Sequence, residues 1–130
     1  MTKQIFVFEN LNPDGKRIGD CEIRAIAKVT NKPYIVIEHE IWLTLGEVGY
    51  RHYCDAGKIY LEKCGFKKLS FPAKKGCPRM TPRAFAETHP KGRYVLSLAG
   101  HFTACVKGQI FDIWDCSEKC VYNAWEIEGE

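Results

Sequence analysis

The chain has 130 residues, of which 45% are hydrophobic. This length and composition predict one folded domain over residues 1–130 and exclude an intrinsically disordered chain. The net charge of +3 is too small to identify a nucleic-acid partner, and no zinc-finger, RNP-like or helix-turn-helix signature accompanies it. The sequence has neither the apolar core of a signal peptide nor a run near the roughly 18 apolar residues of a membrane span. We therefore expect a soluble, cytoplasmic protein that has no membrane partner.

The N-terminal half predicts one short strand followed by three helices. Residues 4–8 form a short apolar run, and a dense cluster of turn residues, 10–15, follows it. Asp20 is placed to cap a helix that runs to Val29, with an apolar face at i, i+3, i+4 spacing. Two further helices are predicted at 34–45 and 54–64. A break at 46–49 separates them, and Gly65 marks the end of the second.

The C-terminal half predicts mainly strands. Thr81 and Pro82 have the residue types of an N-cap and a first helical position, which indicates one short helix that ends at Thr88. The predicted strands are 66–71, 93–98, 102–106, 109–114 and 121–127. Helices followed by strands predict an α+β domain in which N-terminal helices pack on a C-terminal antiparallel sheet.

Cys21 is the first candidate for chemistry, because it stands in the opening turn of the first predicted helix. The partial positive charge of a helix N-terminus favours the thiolate, which is the nucleophilic form of cysteine. We therefore predict that Cys21 is a nucleophile. The alternative is a buried cysteine that only packs at the helix start.

His101 and an aspartate form the second candidate group. His101 stands at the start of a predicted strand, where it can serve as a base for Cys21. If Lys107-Gly108 is a two-residue hairpin turn, His101 lies opposite Trp114, and Asp112 falls on the same face of the neighbouring strand as His101. Asp112 is then predicted to orient the imidazole. Asp115 points to the other face in this register, and a one-residue bulge would exchange the two aspartates.

These residues resemble the papain-like cysteine proteases. The segments that carry the resemblance are Gly19-Asp20-Cys21-x-x-Arg24-Ala25-Ile26, Gly100-His101 and Asp112-x-Trp114-Asp115-Cys116. They are also similar to a group of small bacterial and phage proteins with papain-like architecture. The resemblance implies a papain-like fold, a catalytic triad of Cys21, His101 and Asp112, and a tryptophan, Trp114, that shields the hydrogen bond of the histidine.

The chain departs from the papain pattern in its shorter length, in the spacing of eleven residues between His101 and Asp112, and in the oxyanion hole, for which papain has a glutamine shortly before the cysteine. No glutamine directly precedes Cys21, and the nearest amides are Asn10 and Asn12. Asn12 is our candidate for the second oxyanion donor, beside the Cys21 backbone N–H. The alternative is that both asparagines only build the turn.

The function expected from these residues is hydrolysis of a peptide, isopeptide or amide bond in a protein or peptide substrate, through a thioester. An acyltransferase or a transglutaminase-like enzyme uses the same three residue types. A non-catalytic protein-binding module on the same scaffold is the remaining alternative. The sequence carries no indication of the oligomeric state.

The seven cysteines are odd in number and irregularly spaced, so reduced thiols are expected. A structural zinc site is an alternative, and its candidate ligands are His52, Cys54, Cys64, Cys77, Cys116 and Cys120. Only Cys116 and Cys120 form a close pair, and zinc sites usually show two. We predict no metal and no cofactor.

A cluster of basic residues lies in the middle of the chain, at Lys67, Lys68, Lys74, Lys75, Arg79 and Arg83. We interpret it as a solvated face. The alternative is a patch for an acidic substrate or a nucleic acid, and we do not expect the latter.

Overall fold

The computed structural model describes residues 4–17, 19–48, 53–72 and 74–127, and within these ranges the chain forms an α+β fold of four helices and six strands. In chain order these are β1 (Phe6–Phe8), α1 (Cys21–Thr30), α2 (Tyr34–Val48), α3 (Tyr53–Lys63), β2 (Lys67–Ser70), α4 (Pro82–Thr88), β3 (Arg93–Leu98), β4 (His101–Val106), β5 (Gln109–Asp112) and β6 (Asn123–Ile127).

Helix α1 begins at Cys21, as predicted, and ends where Asn31 adopts a left-handed conformation with φ +61°. The residue before it, Asp20, makes no side-chain cap hydrogen bond. Asp20 thus occupies the N-cap position, as predicted, but its carboxylate is paired with the Arg24 guanidinium instead of capping a backbone N–H. By contrast, Thr81 caps α4 as predicted, since its Oγ1 accepts a hydrogen bond from the Ala84 N–H.

Helix α2 continues through Gly46 to Val48, so the predicted break at 46–49 is wrong for the part that the structure describes. Glycine costs a helix about 1 kcal/mol. The buried side chains of Ile37, Ile41 and Leu45 hold α2 against the core and outweigh that cost. Helix α3 ends before Gly65, which has φ +76°, as the sequence predicts.

The six strands form one sheet in the order β1-β5-β4-β3-β6-β2. The sheet is mixed, because β1 runs parallel to β5, with Phe8 opposite Asp112. The C-terminal strands pair with one another in antiparallel fashion, as predicted, and the parallel pair formed by the N-terminal strand β1 is the part that the sequence analysis did not predict. The physical reason is that β5 would otherwise leave an unpaired edge, and the short N-terminal strand covers it.

Helices cover both faces of the sheet, which gives the domain two apolar cores. On one face α1, α2 and α3 bury a cluster that includes Ile26, Leu61 and Trp125. On the other face α4 contributes Phe85, which packs with Leu96 and other strand residues. Strands β3 and β4 are consequently buried on both faces over nearly their whole length.

The β4–β5 hairpin positions the predicted histidine and aspartate. Its turn is Lys107-Gly108, with φ values of +50° and +77°, as in a type I′ turn. The pairs Val106–Gln109 and Ala104–Phe111 follow the register that this turn predicts. Strand β5 ends at Asp112 rather than at residue 114, so the carboxylate lies at the end of the sheet, beside the first residue of β4.

Candidate functional site

His101 and Asp112 are in direct contact at the end of the β4–β5 hairpin. The distance from His101 Nε2 to Asp112 Oδ2 is 2.6 Å. Both are largely buried, with side chains that are 13% and 1% exposed. Since the carboxylate accepts, the imidazole carries a proton on Nε2, and in its neutral form Nδ1 is left as the acceptor nitrogen.

Trp114 packs beside the imidazole ring, with ring centroids 4.9 Å apart and planes inclined by 51°. It therefore covers one side of the histidine. The two residues share a cleft of about 410 Å³ with Leu98, Cys120 and Tyr122. The histidine thus borders a space open to a ligand.

The Asp112 carboxylate has several partners besides His101. Oδ1 accepts hydrogen bonds from Arg24 Nη1 at 3.1 Å and from the Ile113 N–H at 2.7 Å. The thiol of Cys116 donates to Oδ2 at 3.6 Å. Burial by itself raises the pKa of Asp112, but hydrogen bonds, the largest from His101, outweigh it and lower the pKa below its ordinary value. Asp112 is therefore ionised at neutral pH.

Arg24 connects Asp112 to a second buried carboxylate. Its Nε donates to Asp20 Oδ1 at 2.8 Å, and its side chain is only 7% exposed. Oδ2 of Asp20 in turn accepts from the Tyr34 hydroxyl at 2.7 Å and from Asn12 Nδ2 at 3.0 Å. A continuous hydrogen-bonded network thus runs from α2 through α1 to the hairpin.

Asn12 belongs to this network and is not arranged as an oxyanion donor. Its Nδ2 donates to Asp20 and, at 3.4 Å, to the Tyr34 hydroxyl. Its Oδ1 accepts from the backbone N–H groups of Asp14 and Lys16. Both ends of the amide are therefore engaged in the turn and the network, and the expected oxyanion role has no geometric support here.

Cys21 lies at the first turn of α1, against the backbone of β4. Its Sγ accepts a hydrogen bond from the Phe102 N–H at 3.4 Å and donates to Glu22 Oε2 at 3.4 Å. The Phe102 nitrogen belongs to the peptide bond that joins it to His101. The structure thus brings Cys21 to the residue next to the histidine, but it describes no hydrogen bond between the thiol and the imidazole.

The electrostatic surroundings of Cys21 differ from those that the helix start alone predicts. Burial and the neighbouring Glu22 carboxylate raise the pKa of Cys21 to about 12. The hydrogen bond from the Phe102 N–H acts in the opposite direction and is weaker. In this arrangement the sulfur is therefore a neutral thiol, and a thiolate forms only if another group accepts its proton.

Asp115, the alternative third member of the triad, is exposed and lies apart from the histidine pair. Its Oδ1 accepts hydrogen bonds from the backbone N–H and the hydroxyl of Ser117. The three paired positions of the hairpin, from Ala104–Phe111 to Val106–Gln109, follow one another without a bulge. Asp112, and not Asp115, is consequently the aspartate that contacts His101.

One group of described residues offers three ligand atoms at metal-binding distances. These atoms belong to His101, Asp112 and Cys116 and lie within 4.8 Å of one another. Burial also raises the pKa of Cys116 to about 12, and the Asp112 carboxylate is already paired with Arg24. Of the other candidate zinc ligands, Cys64, Cys77 and Cys120 are exposed, while His52 and the side chain of Cys54 lie outside the described residues.

The basic residues of the middle segment face solvent. Lys67, Lys68, Lys74 and Lys75 are exposed. Arg83 pairs with Glu118 at 2.5 Å, and Arg79 stacks on the Tyr122 ring at 4.6 Å. Their placement fits a solvated face with local pairs.

Arg24, Glu22 and Cys116 each contact a residue of the predicted triad, and the sequence-based prediction gave none of them a role in that triad. Each stands within four residues of a predicted triad member in the chain. The i, i+4 spacing of Asp20 and Arg24 is a signal that the sequence offers for one pair, whereas the contact of Arg24 with Asp112 joins residues 88 positions apart.

Comparisons with known protein families, with curated proteins and with solved structures give no match to this chain. None of the described helices combines the length and the apolar character that crossing a lipid bilayer demands.

Proposed function

We propose that this protein is a papain-like cysteine hydrolase that cleaves a peptide, isopeptide or amide bond through a thioester. Cys21 is the nucleophile, His101 the base and Asp112 the residue that orients the base. The observation that carries the proposal is the 2.6 Å contact between His101 Nε2 and Asp112 Oδ2. It directs Nδ1, the acceptor nitrogen, away from the carboxylate and leaves it for proton transfer.

The first half of the reaction forms the thioester. His101 Nδ1 takes the proton of Cys21 as the sulfur attacks the carbonyl carbon of the substrate. The imidazolium is stabilised by the ionised Asp112. When the carbon–nitrogen bond breaks, His101 returns the proton to the leaving amine, and the acyl group remains on Cys21.

The second half regenerates the thiol. Water attacks the thioester carbonyl while His101 takes one of its protons. The carbon–sulfur bond breaks, the acid is released and the proton passes to Cys21. If an amine takes the place of water, the same steps give acyl transfer, so an acyltransferase or transglutaminase-like activity is the neighbouring alternative.

The hydrogen bond from the Cys21 thiol to Glu22 has to break before the thiol can give its proton to His101. In the resting arrangement Cys21 is bonded to Glu22 Oε2. Hydrogen bonds of a catalytic pair commonly tighten only when substrate binds. The sulfur already lies against the His101–Phe102 peptide, which supports a local rearrangement of the side chain.

The start of α1 supplies the oxyanion site. Its first backbone N–H groups are not used within the helix, and the helix dipole adds partial positive charge there. The backbone N–H of Cys21 is the donor that we assign to the oxyanion. Asn12 takes no part in this step, because its amide is engaged with Asp20.

Transient acylation of Cys21 by an activated ester tests the proposal. We expect p-nitrophenyl acetate to acetylate Cys21, as located by mass spectrometry, and the acetyl group to be lost to water. Cys21→Ala should abolish ester turnover, while Cys64→Ala, which alters an exposed cysteine, should leave it unchanged. Acetylation of Cys21 no faster than that of Cys64 would count against an enzyme.

A non-catalytic protein-binding module is the second candidate, and one observation favours it. Helix α2 exposes large apolar side chains, among them Ile35 at 68% and Leu43 at 55%. Exposed apolar surface of this kind is typical of protein contacts. The acylation experiment separates the two candidates, because a binding module has no need of a reactive thiol.

A further inference from the structure

We propose that Arg24 is a positioning residue that holds Asp112 in place for His101 and couples it to the helix carrying Cys21. The expected effect of Arg24 on catalysis by Cys21 and His101 rests on the proposed function. The coupling itself rests on the geometry of buried charges.

Arg24 uses two separate nitrogens to bridge two carboxylates. Nε contacts Asp20 Oδ1 at 2.8 Å and Nη1 contacts Asp112 Oδ1 at 3.1 Å. All three side chains are buried, at 7%, 3% and 1% exposure. A planar guanidinium presents donors in fixed directions, so a bridge of this kind fixes orientation as well as distance.

Because Arg24 lies in α1, its bridge to Asp112 also affects the position of Cys21 at the start of the same helix. Arg24 follows Cys21 by three residues, and residues at this spacing are neighbours on one side of a helix. Both line the same small cavity, together with Phe102, Thr103 and Asp112. The contact from Arg24 to Asp112 therefore ties the start of α1, and with it the sulfur, to the end of the hairpin that bears His101.

Asp20, the carboxylate at the other end of the bridge, is itself held by hydrogen bonds. Asp20 is anchored by the Tyr34 hydroxyl at 2.7 Å and by Asn12 Nδ2 at 3.0 Å. The guanidinium thus has a fixed partner on each side. Without it, two buried carboxylates would lack their common cation, although Asp112 would keep its other hydrogen bonds, among them those from His101, Ile113 and Cys116.

The network also has a charge balance that suits the reaction. Asp20, Arg24 and Asp112 together carry one net negative charge when all are ionised. That charge is neutralised when His101 becomes an imidazolium. Arg24 therefore balances one of the two buried carboxylate charges and leaves one negative charge for the imidazolium.

A double-mutant cycle between Arg24 and Asp112 tests the proposal in the full-length protein. The variants are Arg24→Met, Asp112→Asn and the combination. Arg93→Met is the matched control, because Arg93 ties the other end of α1 to the sheet through Val29 and Lys28 carbonyls without touching Asp112. The two readouts are the ¹⁵N NMR signature of the His101 tautomer and the rate of Cys21 alkylation by iodoacetamide.

We expect His101 to be a single Nε2–H tautomer in the parent and in Arg93→Met, and a mixture in Arg24→Met. We expect Arg24→Met to slow alkylation of Cys21 about tenfold when Asp112 is present. In a protein that already carries Asp112→Asn, the same substitution should slow it less than about twofold, since the effects of substituting two residues in direct contact are not additive. An unchanged His101 signature in Arg24→Met would overturn the proposal. Equal losses in the two backgrounds would also overturn it, because they indicate a purely structural role.

A replacement variant and a His101 variant allow the experiment to decide even if Arg24→Met does not fold or the proposed hydrolase fails. If Arg24→Met does not fold, Arg24→Lys replaces it, since lysine keeps the charge but lacks the fork that bridges two carboxylates. It should then give a partial tautomer mixture, and a parent-like signature would contradict the proposal. If His101→Ala leaves Cys21 reactivity unchanged, the proposed hydrolase fails, while the NMR comparison still decides whether Arg24 positions Asp112.

Discussion

The thiol of Cys21 donates a hydrogen bond to the carboxylate of Glu22, the next residue of α1, with 3.4 Å between Sγ and Oε2. Glu22 is 3% exposed, and its other oxygen, Oε1, has no hydrogen-bond partner among the described residues. Burial of this carboxyl group raises its pKa. Together, burial and the Glu22 carboxylate hold the proton on the sulfur of Cys21.

Glu22→Gln should make Cys21 more reactive. Removing the carboxylate charge lowers the pKa of Cys21 from its raised value of about 12, although burial keeps it above the ordinary value. We expect alkylation of Cys21 at about pH 8 to become roughly tenfold faster, which corresponds to about one pKa unit. Glu62→Gln, at an exposed position of α3, is the control. An unchanged or slower rate would show that Glu22 does not hold the thiol.

Asp112→Ala should cost far more activity than Asp115→Ala. Asp112 contacts the imidazole, whereas Asp115 accepts hydrogen bonds from Ser117 in an exposed loop. We expect ester turnover to fall about a hundredfold or more for Asp112→Ala, and less than about twofold for Asp115→Ala. Equal or reversed losses would assign the orienting role to Asp115.

Acid should destabilise the protein through Asp112 and Asp20. Both groups have a lowered pKa in the folded state, against an ordinary value of 3.8. Their contribution to the free energy of unfolding is therefore fully present above pH 3.8 and is lost as the pH falls through the lowered folded-state values.

Urea unfolding over a series of pH values measures this contribution. Asp112→Asn should unfold with a smaller dependence on pH below 3.8 than the parent, because the titrating group is gone. Asp14→Asn, in the exposed part of the loop before α1, should retain the parent slope. The same slope in Asp112→Asn and the parent would mean that Asp112 is not selectively ionised in the folded state.

Two helical glycines should respond to alanine in opposite ways. A Cβ on Gly46 of α2 meets nothing within 4 Å, so Gly46→Ala should raise the free energy of unfolding by about 0.5–1 kcal/mol. A Cβ on Gly57 of α3 would lie 3.1 Å from Glu22 Cβ. Overpacking costs about 1–3 kcal/mol, so Gly57→Ala should be destabilising.

Thermal or urea denaturation of the two variants measures the difference. If Gly57→Ala is as stabilising as Gly46→Ala, then α3 does not pack closely on the start of α1. The position of Glu22 beside Cys21 would then lose its support.

The contact between His101 and Asp112 could be predicted from the sequence because it depends on local rules. A two-residue turn at Lys107-Gly108 fixes the register of the hairpin. The alternation of side chains then determines which aspartate shares a face with the histidine. The position of Cys21 follows from helix signals that are equally local, namely the turn cluster before it and the apolar spacing after it.

The remaining features depend on contacts between distant parts of the chain. The pairing of β1 with β5 joins residues more than a hundred positions apart, and no local pattern indicates it. The interaction of Arg24 with Asp112 is also long-range, whereas the pair that Arg24 forms with Asp20 is a local i, i+4 contact. The raised pKa of Cys21 likewise arises from burial, which the helix position alone does not reveal.

The most direct test of the proposed function is the rate of Cys21 alkylation by iodoacetamide in the parent, His101→Ala and His39→Ala, with mass spectrometry to distinguish Cys21 from the other cysteines. His39 is an exposed residue of α2 and is the matched control. At about pH 7 we predict a loss of roughly tenfold or more in His101→Ala and none in His39→Ala, because the base accepts the thiol proton. Equal rates in all three proteins would contradict an activated Cys21–His101 pair.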